Sequence, residues 1–246
     1  MKCLVIHGSP RRGNTWDVLN IVKEEMQKSG KFEFDTIELG KEKIPTCIGC
    51  FNCIFKGEDK CLHKNMVNPI VKKIEEADAI IITSPVYSMQ VSGLLKNFID
   101  HMSYNFHRPR FYTKKALIIT TTAGAGHNDT ANYLKSIMYY WGVNYVKTIP
   151  IAYRSYELTE SNRKKVIKGA KIFSEDLMSN KLHEPSIKSL VMYNMWKKSS
   201  ENKDDKLIAD HEYWSNDKFK NTIYYPGIPI SVFKRVTGKL IKNMFK

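Results

Sequence analysis

The 246-residue chain is 42% hydrophobic, 11% aromatic and 26% charged. That globular balance excludes a disordered, collagen-like or repeat-built protein and suits one large domain with an appendage. The formal charge of +14 is lopsided: residues 1–100 hold 14 basic and 13 acidic side chains, residues 101–246 hold 25 and 12. No nucleic-acid-binding signature accompanies the excess, so a solvated basic surface and no nucleic-acid partner are the first expectation.

Met1 leads straight into the strand-like Cys3-Leu4-Val5-Ile6, and no stretch approaches the ~18–20 unbroken apolar residues of a bilayer span. Neither a signal peptide nor a transmembrane anchor is therefore expected. Further apolar runs fall at 32–39, 79–83, 116–122 and 145–152. Between them, Val18, Ile21, Val22 and Met26 recur at helical spacing, as do Val67, Ile70, Val71 and Ile74, and again Leu94, Leu95, Phe98, Ile99 and Met102. Strands such as Ala79-Ile80-Ile81-Ile82 are apolar throughout, as burial on both sides by crossover helices requires. The expectation is an α/β fold: a doubly wound, five-stranded parallel sheet with helices on both faces. Its ligands would sit at the carboxyl ends of the strands.

Three strand-to-helix loops are candidates. The first, His7-Gly8-Ser9-Pro10-Arg11-Arg12-Gly13-Asn14-Thr15, offers small residues, hydroxyls, an amide, two guanidinium groups and a helix start, which together suit a phosphate. It is neither a Walker sequence nor the G-x-G-x-x-G dinucleotide fingerprint. Taken alone it also reads as an ordinary capped connection. The second runs Thr83-Ser84-Pro85-Val86-Tyr87-Ser88-Met89, where backbone amides and the Tyr87 ring suit a flat aromatic ligand. The third, Thr120-Thr121-Thr122-Ala123-Gly124-Ala125-Gly126-His127, has small residues that let a ligand approach the backbone. His127 is given no chemistry, because a lone histidine at a helix start is more often a cap or a solvated side chain.

Between the second strand and the next helix lie Cys47, Cys50, Cys53 and Cys61, four thiols within fifteen residues. Two-residue spacings allow successive sulfurs to face one centre, either an iron–sulfur cluster or tetrahedral zinc, and free redox-active thiols are the third alternative. The pattern is not a secreted disulfide framework, so a reducing cytoplasm is expected. Cys3 lies in an apolar strand and reads as a small buried residue.

A helix is expected over 159–179, after which the rhythm of strand and helix stops. Residues 1–180 are read as the main domain and 181–246 as a largely helical extension, ordered around Trp196, Trp214 and the Tyr224-Tyr225-Pro226-Gly227 turn. The last twenty residues carry five basic and no acidic side chains. On a helix, Phe233, Val236, Leu240 and Met244 share one stripe, with Arg235, Lys239, Lys242 and Lys246 roughly opposite. Such a helix docks on its own domain or on a second subunit more often than it lies on a membrane, which leaves peripheral membrane contact as the minor alternative.

Gly8-Ser9-Pro10-Arg11 with Asn14-Thr15, Ser84-Pro85-Val86-Tyr87 and Thr122-Ala123-Gly124 together resemble the NADPH-dependent FMN reductase family of the flavodoxin-like superfamily, over about residues 1–180. The resemblance implies FMN, with its phosphate on Ser9, Arg11, Asn14 and Thr15. Its ring and ribityl chain would lie against Pro85, Val86, Tyr87, Ser88, Thr122, Ala123 and Gly124. It further implies NAD(P)H as transient electron donor, a small-molecule or protein acceptor, a homo-oligomer, and no catalytic side chain. The cysteine spacing resembles that of iron–sulfur flavoproteins, which implies a [4Fe–4S] cluster on Cys47, Cys50, Cys53 and Cys61, although the last gap is long. A flavodoxin-like or iron–sulfur flavoprotein electron carrier is the alternative to a reductase.

Overall fold

The structure is a computed structural model that describes residues 1–153, 157–201 and 206–244, with side chains described to residue 241. Its five strands are β1 (Lys2–His7), β2 (Glu33–Glu38), β3 (Ala79–Pro85), β4 (Lys115–Thr122) and β5 (Tyr145–Ala152). They pair in the order β2-β1-β3-β4-β5, every pair parallel. The interleaved helices are α1 (Asn14–Ser29), the one-turn α2 (Leu39–Glu42) and α3 (Asn52–Phe55), then α4 (Lys64–Glu76), α5 (Gly93–His101), α6 (His127–Tyr140) and α7 (Glu160–Met178). The sheet, its parallel pairing and the principal helices agree with the expectation from apolar runs and periodicity.

The pleat of the strands sorts the core into two layers. Cys3, Val5, Ala79, Ile81, Leu117 and Ile119 face α1 and α7, packing on Val18, Leu19, Val22, Val166 and Phe173. Leu4, Ile6, Ile80, Ile82, Ala116 and Ile118 face α4, α5 and α6, packing on Val67, Ile70, Leu95, Phe98 and Leu134. Burial on both sides explains why the central strands are apolar throughout. Cys3 is fully buried, as its setting suggested, and burial pushes its thiol up to about 12.

After α7 come α8 (Ile187–Ser199), α9 (Ile208–Trp214) and α10 (Val232–Met244). Leu190, Tyr193, Trp214, Phe219, Tyr224, Tyr225 and Ile228 form a third apolar cluster, largely aromatic, so this region is ordered around its own contacts. It is fastened to the sheet region by rings and polar groups. Tyr112 stacks on Tyr225 with centroids 4.5 Å apart, His107 stacks on Trp196 at 3.9 Å, and Trp214 Nε1 donates to the His107 carbonyl at 3.0 Å.

One orientation differs from the expectation. α10 is a helix, but its Phe233, Val236 and Leu240 stripe faces outward, and contact with α8 is made through Gly238 and Ile241 instead. Gly238 lies close enough that a Cβ there would sit 3.4 Å from Ile223 and 3.8 Å from Leu190. The absence of a side chain, rather than the apolar stripe, sets the docking face. The side chains of Lys242 and Met244, and all of Lys246, lie outside the described residues.

Candidate functional site: a three-loop cleft and a thiol cavity

Strand order reverses between β1 and β3, which leaves a crevice at their carboxyl ends. The register sets its walls: His7 pairs with Thr83, and Pro85 with Thr121, so the loops after β1, β3 and β4 leave the sheet side by side. Between them lies a cleft of about 400 Å³. It is lined by Ser9, Arg11, Asn14, Thr15, Pro85, Val86, Tyr87, Thr122 and Ala123, and also by Arg12, Gly13 and Thr121. Ser88 and Gly124, the other two residues proposed from sequence, are not part of this lining. Ser88 is at the tip of a tight turn with Met89, both at positive φ, closed by paired Tyr87 and Gln90 backbone hydrogen bonds of 2.9 and 3.0 Å. The Gly124 amide turns back to donate to Thr122 Oγ1 at 3.1 Å.

The first loop is locked in place before any ligand arrives. The Gly8 amide donates to the Thr83 carbonyl at 2.8 Å, and Ser92 Oγ donates to the Gly8 carbonyl. A Cβ on Gly8 would fall 2.8 Å from the Thr83 carbonyl oxygen and 2.9 Å from the Leu95 Cβ, so no larger residue fits without moving the backbone. Ser9 Oγ donates to the Arg11 carbonyl at 2.7 Å and accepts from the Arg11 amide, folding the loop back toward α1. At the far side, Thr15 Oγ1 lies 2.6 Å from Thr121 Oγ1, joining the first turn of α1 to the end of β4. Gly126, at φ +87°, lets the third loop close on the second, since a Cβ there would meet Val86 and Met89 at about 3.1 Å.

The cleft is built for an anion at one end. Gly13 caps α1 without a side-chain acceptor, and the amides of Asn14 and Thr15 come too early in the helix to find an intrahelical carbonyl. The two arginines differ in availability. Arg12 makes a two-pronged contact with Glu38 at 2.6 and 3.1 Å and lies over the Trp16 ring at 4.3 Å, so much of its charge is spent locally. The guanidinium of Arg11 makes no hydrogen bond or ion pair among the described residues. The Arg12 and Lys41 cations in turn hold the Glu38 carboxyl down at about 2. His7, buried behind the loop with Nδ1 2.7 Å from Thr83 Oγ1, is pushed toward its neutral form by burial. The lining holds hydroxyls, amides, guanidinium groups and the Tyr87 phenol, groups that can bind and orient a ligand.

Cys47, Cys50, Cys53 and Cys61 line a second cavity of about 280 Å³, with Ser103, His63 and His101. None is in a disulfide. Cys50 is exposed, while burial raises the Cys53 thiol. Gly49 and Phe51 both take left-handed backbone conformations, which turn the chain between successive cysteines. Among the described residues, no group of three His, Cys, Asp or Glu side chains converges on a point that one metal ion could occupy. The four thiols share one cavity lining, which brings together residues up to fourteen positions apart in sequence.

Residues remote in sequence hold this loop, and the sequence reading did not find them. Asn97 Oδ1 accepts from the Cys47 amide at 2.9 Å while its amide group donates to the Ile44 and Pro45 carbonyls. His101 Nε2 donates to the Pro45 carbonyl at 2.8 Å, which leaves Nδ1 as the acceptor 3.8 Å from Cys61 Sγ. Arg108, only 2% exposed, donates to the Cys53 and Ile54 carbonyls at 2.6 and 3.0 Å and pairs with buried Asp210 of α9. His107 Nδ1 meets the other Asp210 oxygen at 2.7 Å. α5 joins the two cavities: Ser92 at its start touches the first loop and His101 at its end touches the thiols, about 13 Å along the axis.

A family model, that of NADPH-dependent FMN reductases, matches residues 1–155. An iron–sulfur flavoprotein from Archaeoglobus fulgidus is 30% identical over 227 residues, covering 89% of this chain and all of that protein. One from Clostridioides difficile is 30% identical over 177 residues, covering 69% of this chain and 76% of that protein. Among solved structures, an NAD(P)H:quinone oxidoreductase from Methanothermobacter marburgensis superposes with a TM-score of 0.57 at 17% identity, covering 72% of this chain and 97% of the other. An FMN-dependent NADH-azoreductase from Bacillus anthracis in complex with FMN gives 0.51 at 15% identity, covering 72% and 98%. At such identities the superpositions establish the flavodoxin-like fold alone. The family match spans all five strands and the three loops around the cleft. The chain therefore belongs to the NADPH-dependent FMN reductase family.

Proposed function

We propose that the protein is an FMN-dependent NAD(P)H oxidoreductase that passes electrons from a nicotinamide through FMN to a small-molecule or protein acceptor. The observation that carries this reading is that nine of the eleven residues named from sequence line one cleft, with Arg11 and the start of α1 on one side and Pro85, Val86 and Tyr87 on another. Arg11 would hold the phosphate through its free guanidinium, and Asn14 and Thr15 through helix-terminal amides, with the Ser9 and Thr15 hydroxyls turning to it from their present bonds to the Arg11 carbonyl and Thr121 Oγ1. Pro85, Val86, Tyr87, Thr122 and Ala123 would position the ring and ribityl chain, with Ser88 and Gly124 shaping the turns beside them. When bound, FMN supplies acceptance of a hydride and release of electrons singly or in pairs. The chain's own groups orient that cofactor, keep water from its buried edge and set its electronic surroundings through backbone amides. Tyr87 and Met89 stand exposed beside the cleft, 45% and 54% accessible, as a surface that a second copy of the chain would cover.

Cys47, Cys50, Cys53 and Cys61 are proposed to hold a [4Fe–4S] cluster, supported by their shared cavity and by the iron–sulfur flavoprotein relatives. A cytoplasmic location is part of the same reading, since the cysteine spacing is not that of a secreted disulfide framework. No described helix is long and apolar enough to cross a membrane.

The test is an anaerobic visible spectrum of the purified holoprotein with iron and sulfide analysis. Loss of the yellow flavin absorbance on adding NADH or NADPH is the expected result. An unchanged spectrum with both nicotinamides overturns the reductase reading in favour of a carrier reduced by partner proteins. Absence of iron and sulfide in anaerobically prepared protein overturns the cluster.

A further inference from the structure

α10 has three distinct faces. At about 100° per residue, Thr237, Gly238 and Ile241 fall on one arc and make the contact with the rest of the protein. Lys234, on the same side, pairs with Glu184 at 3.0 Å. The adjoining arc, about 100° wide, carries Val232, Phe233, Val236 and Leu240, which are 79%, 74%, 54% and 61% exposed. The remaining arc carries Arg235 and Lys239, both exposed and without an ion-pair partner among the described residues. A terminal helix that serves only its own domain turns its apolar stripe inward. Here the helix is fastened by the face that carries a glycine, and four large apolar side chains are presented to solvent in one contiguous strip.

The charge beside the strip selects the occupant. No acidic residue occurs from position 227 onward, so nothing on this helix opposes an anionic surface. An apolar strip bordered by unpaired cations, on a helix fastened to α8 by another face, matches the geometry of an interfacial helix. We propose that α10 docks the protein on an anionic lipid surface. Val232, Phe233, Val236 and Leu240 enter the boundary between headgroups and acyl chains, and Arg235 and Lys239 lie against lipid phosphates. This inference does not rest on the redox reading, because it concerns a surface outside both cavities.

The experiment is sedimentation of the full-length holoprotein with phosphatidylcholine vesicles, with and without phosphatidylglycerol. The wild type is expected to pellet with the mixed vesicles and to remain in the supernatant with the neutral ones. The double variant Arg235→Gln, Lys239→Gln should weaken binding about thirtyfold, since each basic residue near such a surface contributes about 1 kcal/mol. The double variant Phe233→Ser, Leu240→Ser should abolish pelleting while its melting temperature and flavin spectrum stay unchanged, because both side chains are exposed in the folded protein. No pelleting by wild type, or equal pelleting with neutral vesicles, overturns the proposal. So does a wild-type oligomer that the serine variant dissociates in the absence of vesicle binding, which would make the strip a contact between copies. Pelleting that all variants retain also overturns it.

Discussion

The three-loop cleft and the thiol cavity lie at the two ends of α5 but are built in opposite ways. The cleft is made by the backbone: parallel register brings three strand ends together, and short contacts such as Thr15 with Thr121 and Ser92 with Gly8 finish it. The thiol loop has almost no repetitive backbone bonding over residues 43–51. It is hung on side chains from elsewhere, namely Asn97, His101 and Arg108. A backbone-built site is expected to tolerate loss of one ligand-facing side chain with only a binding penalty. A side-chain-hung loop is expected to fail when its support is cut.

The largest expected effect follows from that difference. Arg108→Ala leaves buried Asp210 with only the His107 contact in place of its guanidinium partner and frees two carbonyls of the thiol loop, so it should cost about 3–5 kcal/mol in urea unfolding. The variant's Cys53, now shielded in the fold, should also become faster to alkylate. Unchanged stability and unchanged Cys53 reactivity would show that the loop stands by itself. Next comes Gly8→Ala, which forces a methyl group against the Thr83 carbonyl and Leu95 and should destabilise by about 1–3 kcal/mol while loosening FMN. Arg11→Ala should leave the melting temperature alone and weaken FMN about tenfold, the loss of one charge-assisted contact of about 1.5 kcal/mol. Riboflavin, which lacks the phosphate, should bind wild type and variant alike.

The smallest effect is acid-dependent. The Glu38 carboxyl is held below its ordinary 4.5, at about 2, mainly by Arg12 and then Lys41. Its folded form therefore binds the proton less readily than the unfolded chain does. The stabilisation is full above about 4.5 and fades as the pH falls toward 2. Glu38→Gln should flatten this part of the stability-versus-pH curve, with a modest amplitude because the pair is near the surface. A curve identical to wild type between those limits would remove the Arg12–Glu38 pair from the account of the first loop.

How far the sequence was legible follows the same division. Ala79-Ile80-Ile81-Ile82 reads as a doubly covered strand because both faces of a central parallel strand meet helices, and the loops that follow such strands are the places where a doubly wound sheet binds. That reasoning reached Ser9, Arg11, Asn14, Thr15 and Pro85 without coordinates. The loop's composition offered Arg11 and Arg12 alike and only the family resemblance picked Arg11, because Glu38 is a neighbour of Arg12 only through the β1–β2 pairing. Arg108 was illegible for a stronger reason. His107-Arg108-Pro109-Arg110 looks like part of a solvated basic surface, and its buried counter-charge Asp210 comes 102 residues later. In α10, periodicity found the apolar stripe but not its direction, since Gly238 decides which side can approach α8.

The central claim is that three loops at the carboxyl ends of β1, β3 and β4 form a cradle for FMN. Titration of FMN-depleted protein with FMN, followed by quenching of flavin fluorescence, tests it most directly. The account predicts saturation at one FMN per chain, with riboflavin binding much more weakly and Arg11→Ala narrowing that gap about tenfold. Unquenched fluorescence throughout the titration, or equal affinity for FMN and riboflavin in the wild type, would contradict it.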